Sequence, residues 1–132
     1  MIYYESPQAD VEWNETLNSV VVTWKGFAQG EKFQEPLNKA LNLSKQKKAE
    51  KWLIDTRYAS ASTQNDQKWI AEQWHPNLME TGLRSLAIVK PNKTVANLSI
   101  NRTISDLVIS YAVEHFTTLD EASIWLLKRQ AG

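Results

Sequence analysis

Residues 83–91 read LRSLAIVKP, a short apolar run set between Gly82 and Pro91. Its apolar positions are consecutive rather than alternate, so a strand built from it needs cover on both faces. Such a strand belongs inside a parallel sheet, and parallel neighbours require crossover segments long enough to form helices. The flanking sequence supplies them. KWLIDT, at residues 51–56, is a second apolar strand, and STQNDQKWIAEQW between the two carries a helical pattern. Thr63 opens that helix with Asp66 three residues on, a capping-box-like start with Asp in place of Glu. Pro76 breaks or restarts the helix and Gly82 closes it.

Upstream, VEW at 11–13 and SVVVTWKG at 19–26 are β-branched and aromatic, and NETLN between them has turn chemistry, which predicts a hairpin. From Glu31 to Lys48, Phe33, Leu37, Ala40, Leu41 and Leu43 recur at mostly three- and four-residue steps, the mark of an amphipathic helix. Pro36 is tolerated best near the first turn, so the helix should start near Gly30–Phe33. Downstream, NKTVANLSINRTISDLVIS predicts a third helical region and YAVEHF, 111–116, a last strand. TLDEASIWLLKR predicts a final helix, with Thr118 and Glu121 as a capping box and Leu119, Ala122, Trp125 and Leu126 as its buried stripe. The expectation is an α/β fold: an N-terminal β-hairpin, then βαβαβα, in a mostly parallel sheet of four to five strands with about four helices. A chain of 132 residues fits one domain over 1–132, with its core at about 10–128.

Fifteen basic and fifteen acidic side chains cancel. That argues against nucleic acid as a partner, since phosphate neutralisation needs a basic excess, and gives no polybasic face for a membrane surface. With no cysteine, thiol catalysis, disulfides and thiolate metal sites are excluded. MIYYESPQAD has no basic start and no long apolar run, and no stretch approaches the ~18 apolar residues of a membrane span, so a cytoplasmic protein is expected. The unusual count is six tryptophans. They suit a core, a pocket or an interface; Trp13 and Trp24, with Tyr3 and Tyr4, would suit burial in a homodimer.

The chemistry on offer concentrates in WLIDTRYASASTQNDQKWIAEQWHP, residues 52–76. Ligands of such sheets gather outside the carboxyl ends of the strands. Asp55 and Arg57 stand at one such end, two residues apart in extended chain, where they can pair with each other or anchor the loop. Ser60, Ser62 and Thr63 precede a helix N-terminus; they are candidate caps, Thr63 above all, and candidate phospho-acceptors. Trp69 and Trp74 are five residues apart, about 140° around a helix. Trp74, on the face of Ile70 and Leu78, is expected in the core and Trp69 at a pocket margin. His75 and His115 are isolated, with no metal-binding spacing, so neither a metal nor another cofactor is expected. There is no G-x-S-x-G elbow and no phosphate-binding loop, and four glycines cannot build a Gly-rich cradle. The chain therefore reads as non-enzymatic.

VVVTWKGFAQGEKFQEPLNKAL, WLIDTR, NDQKWIAEQWHP and TGLRSLAIVKP resemble the bacterial SpoIIAA-like proteins, also described as STAS-like or related to CRAL-TRIO lipid-carrier domains. The resemblance runs from about Val20 to Leu127, and Asp-x-Arg after the strand with the paired Trp before Pro are its most specific features. It implies a small βα domain of successive parallel strands. Anti-sigma-factor antagonists of this family carry a phosphorylatable serine in an Asp-Ser-x-Gly type motif; the matching stretch here, YASASTQND, has neither the pair nor the glycine. The resulting expectation is a regulatory, STAS-like binding module for a protein partner or a small amphipathic or apolar ligand. Asp55, Arg57, Trp69, Trp74 and His75 form its recognition face. Two alternatives stand beside it: a phospho-regulated switch at Ser60, Ser62 or Thr63, and a small hydrolase-type enzyme using Asp55, Arg57 and His75.

Overall fold

The computed structural model describes residues 1–129, so the last three residues of the expected domain lie outside the described residues. Strands β1 (Ile2–Glu5), β2 (Ala9–Asn14) and β3 (Ser19–Trp24) are antiparallel, and β4 (Lys51–Asp55), β5 (Ser85–Val89) and β6 (Ala112–Phe116) continue the sheet in parallel. The order in the six-stranded sheet is the order in the sequence. This is the α/β class expected, with one strand more than the expected four to five. The addition is β1, which lies on the edge beside β2 with a register irregularity between Ile2 and Tyr4. IYYE is four residues followed by a serine and a proline, too short for alternation to reveal it. The hairpin closes as expected: Asn14 Oδ1 accepts from the Leu17 N–H at 2.9 Å, and Asn18 takes a φ of 53°.

Because each parallel strand is added on the same side of the last, crossovers of one hand place their helices on one face. Helix α1 (Glu31–Lys47) joins β3 to β4, the helical segment 64–79, containing α2 and α3, joins β4 to β5, and α4 (Thr94–Ser105) joins β5 to β6. Helix α5 (Leu119–Lys128), after the last strand, is free to take the other face. There Ala122 and Leu126 pack on Val21, Leu53, Ala87 and Val89. Lys51 is buried beneath this helix and donates to the Leu126 carbonyl at 3.1 Å, a cation at a helix C-terminus; burial pushes its pKa down. Thr118 caps α5 as expected, its Oγ1 accepting from the Glu121 N–H. Of the predicted stripe, Ala122 and Leu126 are buried and Trp125 is half-buried against Phe116, but Leu119 is exposed, one residue from the cap and beyond the sheet.

The larger core lies under the other helices and is built on tryptophan. Trp52 meets Trp74 edge-on at 5.8 Å, and Trp24 stacks on Phe33 at 5.2 Å. Such pairs contribute about 0.5–1.5 kcal/mol beyond their buried area. A buried indole N–H needs an acceptor: Trp52 Nε1 donates to Ser44 Oγ at 2.9 Å and Trp74 Nε1 to the Leu37 carbonyl at 3.0 Å. Of the aromatic residues named for a homodimer, Trp13 and Trp24 are buried within the chain itself, and Tyr3 and Tyr4 are half-buried.

Helix α1 begins where expected, after Gly30, whose φ of 59° suits glycine. Pro36 falls beyond its first turn and is fully buried, so its position serves packing at the loss of one helical bond. The segment predicted as one helix is three pieces: α2 (Gln64–Trp69), a π turn (Ile70–Trp74) and α3 (His75–Met79). Pro76 has no N–H and its ring would meet a carbonyl four residues back, so the chain widens just before it. The His75 N–H then donates to Ile70, five residues back. The wide turn lets Trp74, His75 and Leu78 all be buried. Among the described residues no helix is long and apolar enough to cross a membrane.

Candidate functional site

Side chains alternate across β4. Trp52 and Ile54 face the helix layer, whereas Lys51 and Leu53 face α5, and Asp55 shares their side. Asp55 is 3% exposed at the carboxyl end of the strand. Arg57 closes on it with three side-chain contacts, Nη2 to Oδ2 at 2.8 Å and Nε to Oδ1 at 3.1 Å and to Oδ2 at 3.3 Å, and its own backbone N–H donates to Oδ1 at 3.1 Å. The carboxylate raises the guanidinium's pKa by hydrogen bonding. The Arg57 carbonyl accepts from the Asn92 N–H at 3.1 Å, and the Thr56 hydroxyl donates to the Val89 carbonyl. Asp55 and Arg57 thus pair with each other and fasten the loop to the strand beside it.

Beyond that anchor the loop turns over the helix-side face. Thr63 is the cap of α2, its Oγ1 accepting from the Asp66 N–H at 3.1 Å and donating to Asp66 Oδ2 at 3.0 Å. Asp66, 2% exposed, also accepts from the Gly30 N–H at 3.2 Å and so joins the starts of α1 and α2. The Ser62 N–H donates to Ser99 Oγ on α4 at 3.3 Å. Ser60 Oγ accepts a long bond, 3.4 Å, from the exposed Lys93.

Between the sheet and these helices lies a cavity of about 140 Å³. Its floor is Trp24, Ile54, Leu86, Ile88 and Val113 from the sheet; Ile70, Trp74 and Leu78 wall one side. Ile100, Ile104, Leu107 and Ile109 close it from α4 and the turn that follows. Ser60 and Ser62 line the end near the carboxyl terminus of β4, while Tyr111, just before β6, stands at the other end of the strands. His75 is 4% exposed there, and its Nε2 lies 2.8 Å from the Tyr111 hydroxyl. Burial lowers the His75 pKa and pushes Tyr111 up to about 12, so both are neutral around pH 7.

The sequence-predicted residues therefore divide. Trp74, His75, Ser60 and Ser62 line the cavity. Trp69 sits at the margin, half-buried and edge-on to Phe33 at 6.5 Å. Asp55 and Arg57 lie toward the opposite face of the sheet from His75, so these three side chains do not converge on one pocket. Among the described residues no group of three or more His, Cys, Asp and Glu is placed to hold a metal. Tyr111 and the α4 wall were missed. Tyr111 reads as the first residue of a strand, and its pairing with His75 spans 36 residues. Ser99, Ile100, Thr103, Ile104 and Leu107 do recur at helical steps, but hydroxyls in the stripe hide it from an apolar count. The helix also stops at Ser105, so the last five residues of the predicted helical region lie outside it, in a turn and irregular chain.

No protein-family model matches the chain, and no curated protein does. Two solved structures are similar in fold. One is described as an anti-sigma factor antagonist from Mycobacterium paratuberculosis, at 16% identity, covering 93% of this chain and 98% of that one with a TM-score of 0.56. The other is described as an uncharacterized protein of the DUF3478 family with a SpoIIAA-like fold from Shewanella loihica, at 10% identity, covering 89% and 91% with a TM-score of 0.55. The chain has a SpoIIAA-like, STAS-type fold. Neither structure is described as a CRAL-TRIO lipid carrier, so that arm of the sequence resemblance is not borne out.

Proposed function

We propose that this protein is a non-catalytic binding module of the bacterial cytoplasm that takes a small amphipathic ligand between its sheet and helix layer, in a regulatory role. The cavity carries the reading: a mostly apolar chamber in which the hydroxyls of Thr56, Ser99 and Thr103 are spent on backbone carbonyls, while those of Ser60 and Ser62 and the His75–Tyr111 pair sit toward its ends. A concave, mostly apolar site with a few placed polar groups is the usual form of a small-molecule site. In this reading Trp74 and His75 are wall and polar contact, Trp69 braces the rim, and Asp55 with Arg57 holds the loop that carries the serines. Native mass spectrometry of protein from its own host should show a small molecule retained on the chain. Ile100→Trp, which fills the chamber, should lose it. A wild-type chain that remains bare after exposure to host extract would sink the reading.

A second reading, a protein-binding switch regulated by phosphorylation, is favoured by one observation: a structure of the same fold is described as an anti-sigma factor antagonist. Ser60 is the hydroxyl best placed for it, because its partner is the exposed ammonium of Lys93, which suits a phosphate, whereas Thr63 Oγ1 is engaged on both sides by Asp66 and Ser62 Oγ accepts from the Gln67 amide. Phosphopeptide mapping of native protein that always finds Ser60, Ser62 and Thr63 unmodified would remove it.

A further inference from the structure

We propose that the cavity selects an uncharged ligand of about one ring, bearing a single hydroxyl or carbonyl that bonds to the His75–Tyr111 pair, and rejects carboxylates and ammonium ions. The proposal rests on the ligand-binding reading above and specifies what that site accepts.

Size comes first. A cavity of about 150 Å³ lined by Leu, Ile and Phe holds benzene. The chamber here, about 140 Å³ and lined chiefly by Ile and Leu, is of that order. One ring with a short substituent fills it.

Charge decides the class. None of the described lining residues is an Asp, Glu, Lys or Arg. The charged groups around the cavity are committed elsewhere: Arg57 to Asp55, and Asp66 to Thr63 and Gly30. Lys93 reaches Ser60 Oγ at 3.4 Å but is exposed and lies outside the lining. A carboxylate or ammonium entering the chamber would lose its water and meet no opposite charge.

The pair itself is suited to a neutral partner. A neutral imidazole and a neutral phenol sharing one hydrogen bond can do so in either direction. If Tyr111 donates to Nε2, the phenolic oxygen keeps lone pairs and accepts from a ligand hydroxyl. If Nε2–H donates to Tyr111, the phenolic O–H turns to a ligand carbonyl. Either arrangement serves a hydroxyl or carbonyl compound without creating an ion.

The test uses four probes of one ring and one substituent carbon: toluene, benzyl alcohol, benzoate and benzylammonium, titrated at pH 7 by chemical-shift perturbation. Toluene and benzyl alcohol are expected to bind at least a hundredfold more tightly than either ion. Tyr111→Phe is expected to keep toluene binding, which also reports that the variant is folded, and to lower the ratio of benzyl alcohol to toluene affinity about five- to tenfold. Lys93→Gln should leave the ranking unchanged. Benzoate or benzylammonium binding as tightly as benzyl alcohol overturns the selectivity while leaving the ligand-binding reading intact. A Tyr111→Phe protein with an unchanged alcohol-to-toluene ratio overturns the role given to the pair. Failure of all four probes overturns this proposal, while a small molecule retained on the chain in native mass spectrometry would leave the ligand-binding reading standing.

Discussion

His75 Nε2 and the Tyr111 hydroxyl meet at 2.8 Å across 36 residues of sequence, tying the π-broken helix to the start of β6. Both groups are held in the form that carries no charge, His75 by a lowered pKa and Tyr111 by one raised to about 12, each through burial. The contact therefore gives stability a dependence on pH at both ends. A histidine whose folded pKa lies below its unfolded value, near 6.5, contributes stability that is present above that value and lost as pH falls from it through the folded pKa. His115 is lowered in the same way and adds to the loss. A tyrosine raised from 10 to about 12 contributes stability that is full below pH 10 and lost as pH rises toward 12. Urea denaturation from pH 4 to 12 should show a plateau near neutrality and a fall at each side, of at most about 1.4 kcal/mol per pH unit for each proton. In Tyr111→Phe the fall above pH 10 should be shallower; an unaltered alkaline limb would show that Tyr111 is not its source.

Ser44 has no exposure and its hydroxyl accepts the Trp52 N–H. Ser44→Ala removes only one oxygen, yet leaves an indole N–H in the core without an acceptor. The loss should be about 1–3 kcal/mol, more than the net worth of the bond itself, because the stranded donor has given up water. Trp52→Phe in the Ser44→Ala background removes the stranded donor. The second substitution should therefore cost less there than Trp52→Phe does alone, and equal costs in the two backgrounds would show no coupling.

What the sequence made legible followed from local pattern. β5 is apolar on both faces, and it is a fully buried interior strand. The caps Thr63 and Thr118 were readable from a residue and its partner three positions on. Trp74 is buried and Trp69 half-buried, as the helical angle suggested, although the π turn between them departs from that spacing. The candidate site was legible only on its local side. Ser60, Ser62, Trp74 and His75 sit in one stretch of chain, whereas Tyr111 and the wall from α4 are brought to them by tertiary packing. The π turn was half legible. Pro76 marks a break, but not that the break would bury two adjacent side chains. The pairing of Asp55 with Arg57 was legible from their two-residue spacing, but not that alternation at the strand end turns them toward the opposite face from His75.

The Asp55–Arg57 fork should matter to loop order more than to global stability. Asp55 is buried, but the Arg57 side chain is 33% exposed, so a guanidinium freed by Asp55→Ala can turn to water. The expected loss is about 1–3 kcal/mol, below that of breaking a fully buried ion pair. The local effect should be larger: the Arg57 amide loses its acceptor, and hydrogen exchange at Arg57 and Tyr58 should rise more than in β5. Uniform acceleration throughout the chain would contradict a local clamp.

Thr63, Asp66 and Gly30 form one junction, in which a single carboxylate takes the Thr63 hydroxyl and the Gly30 N–H while the Thr63 oxygen takes the Asp66 N–H. Losing a threonine cap typically costs about 0.5–2 kcal/mol. Thr63→Ala should fall in the upper half of that range, because the change also removes one donor to a carboxylate that is 2% exposed. Thr63→Ser preserves both contacts and should recover most of the stability. Asp66→Asn is the discriminating variant. Its amide oxygen can still accept from Gly30 or from Thr63, but the charge at the first turns of two helices is gone. Thermal unfolding should rank the variants wild type, Thr63→Ser, Thr63→Ala, Asp66→Asn in falling order. If Asp66→Asn matched Thr63→Ser, the carboxylate's charge would have no part in joining α1 to α2.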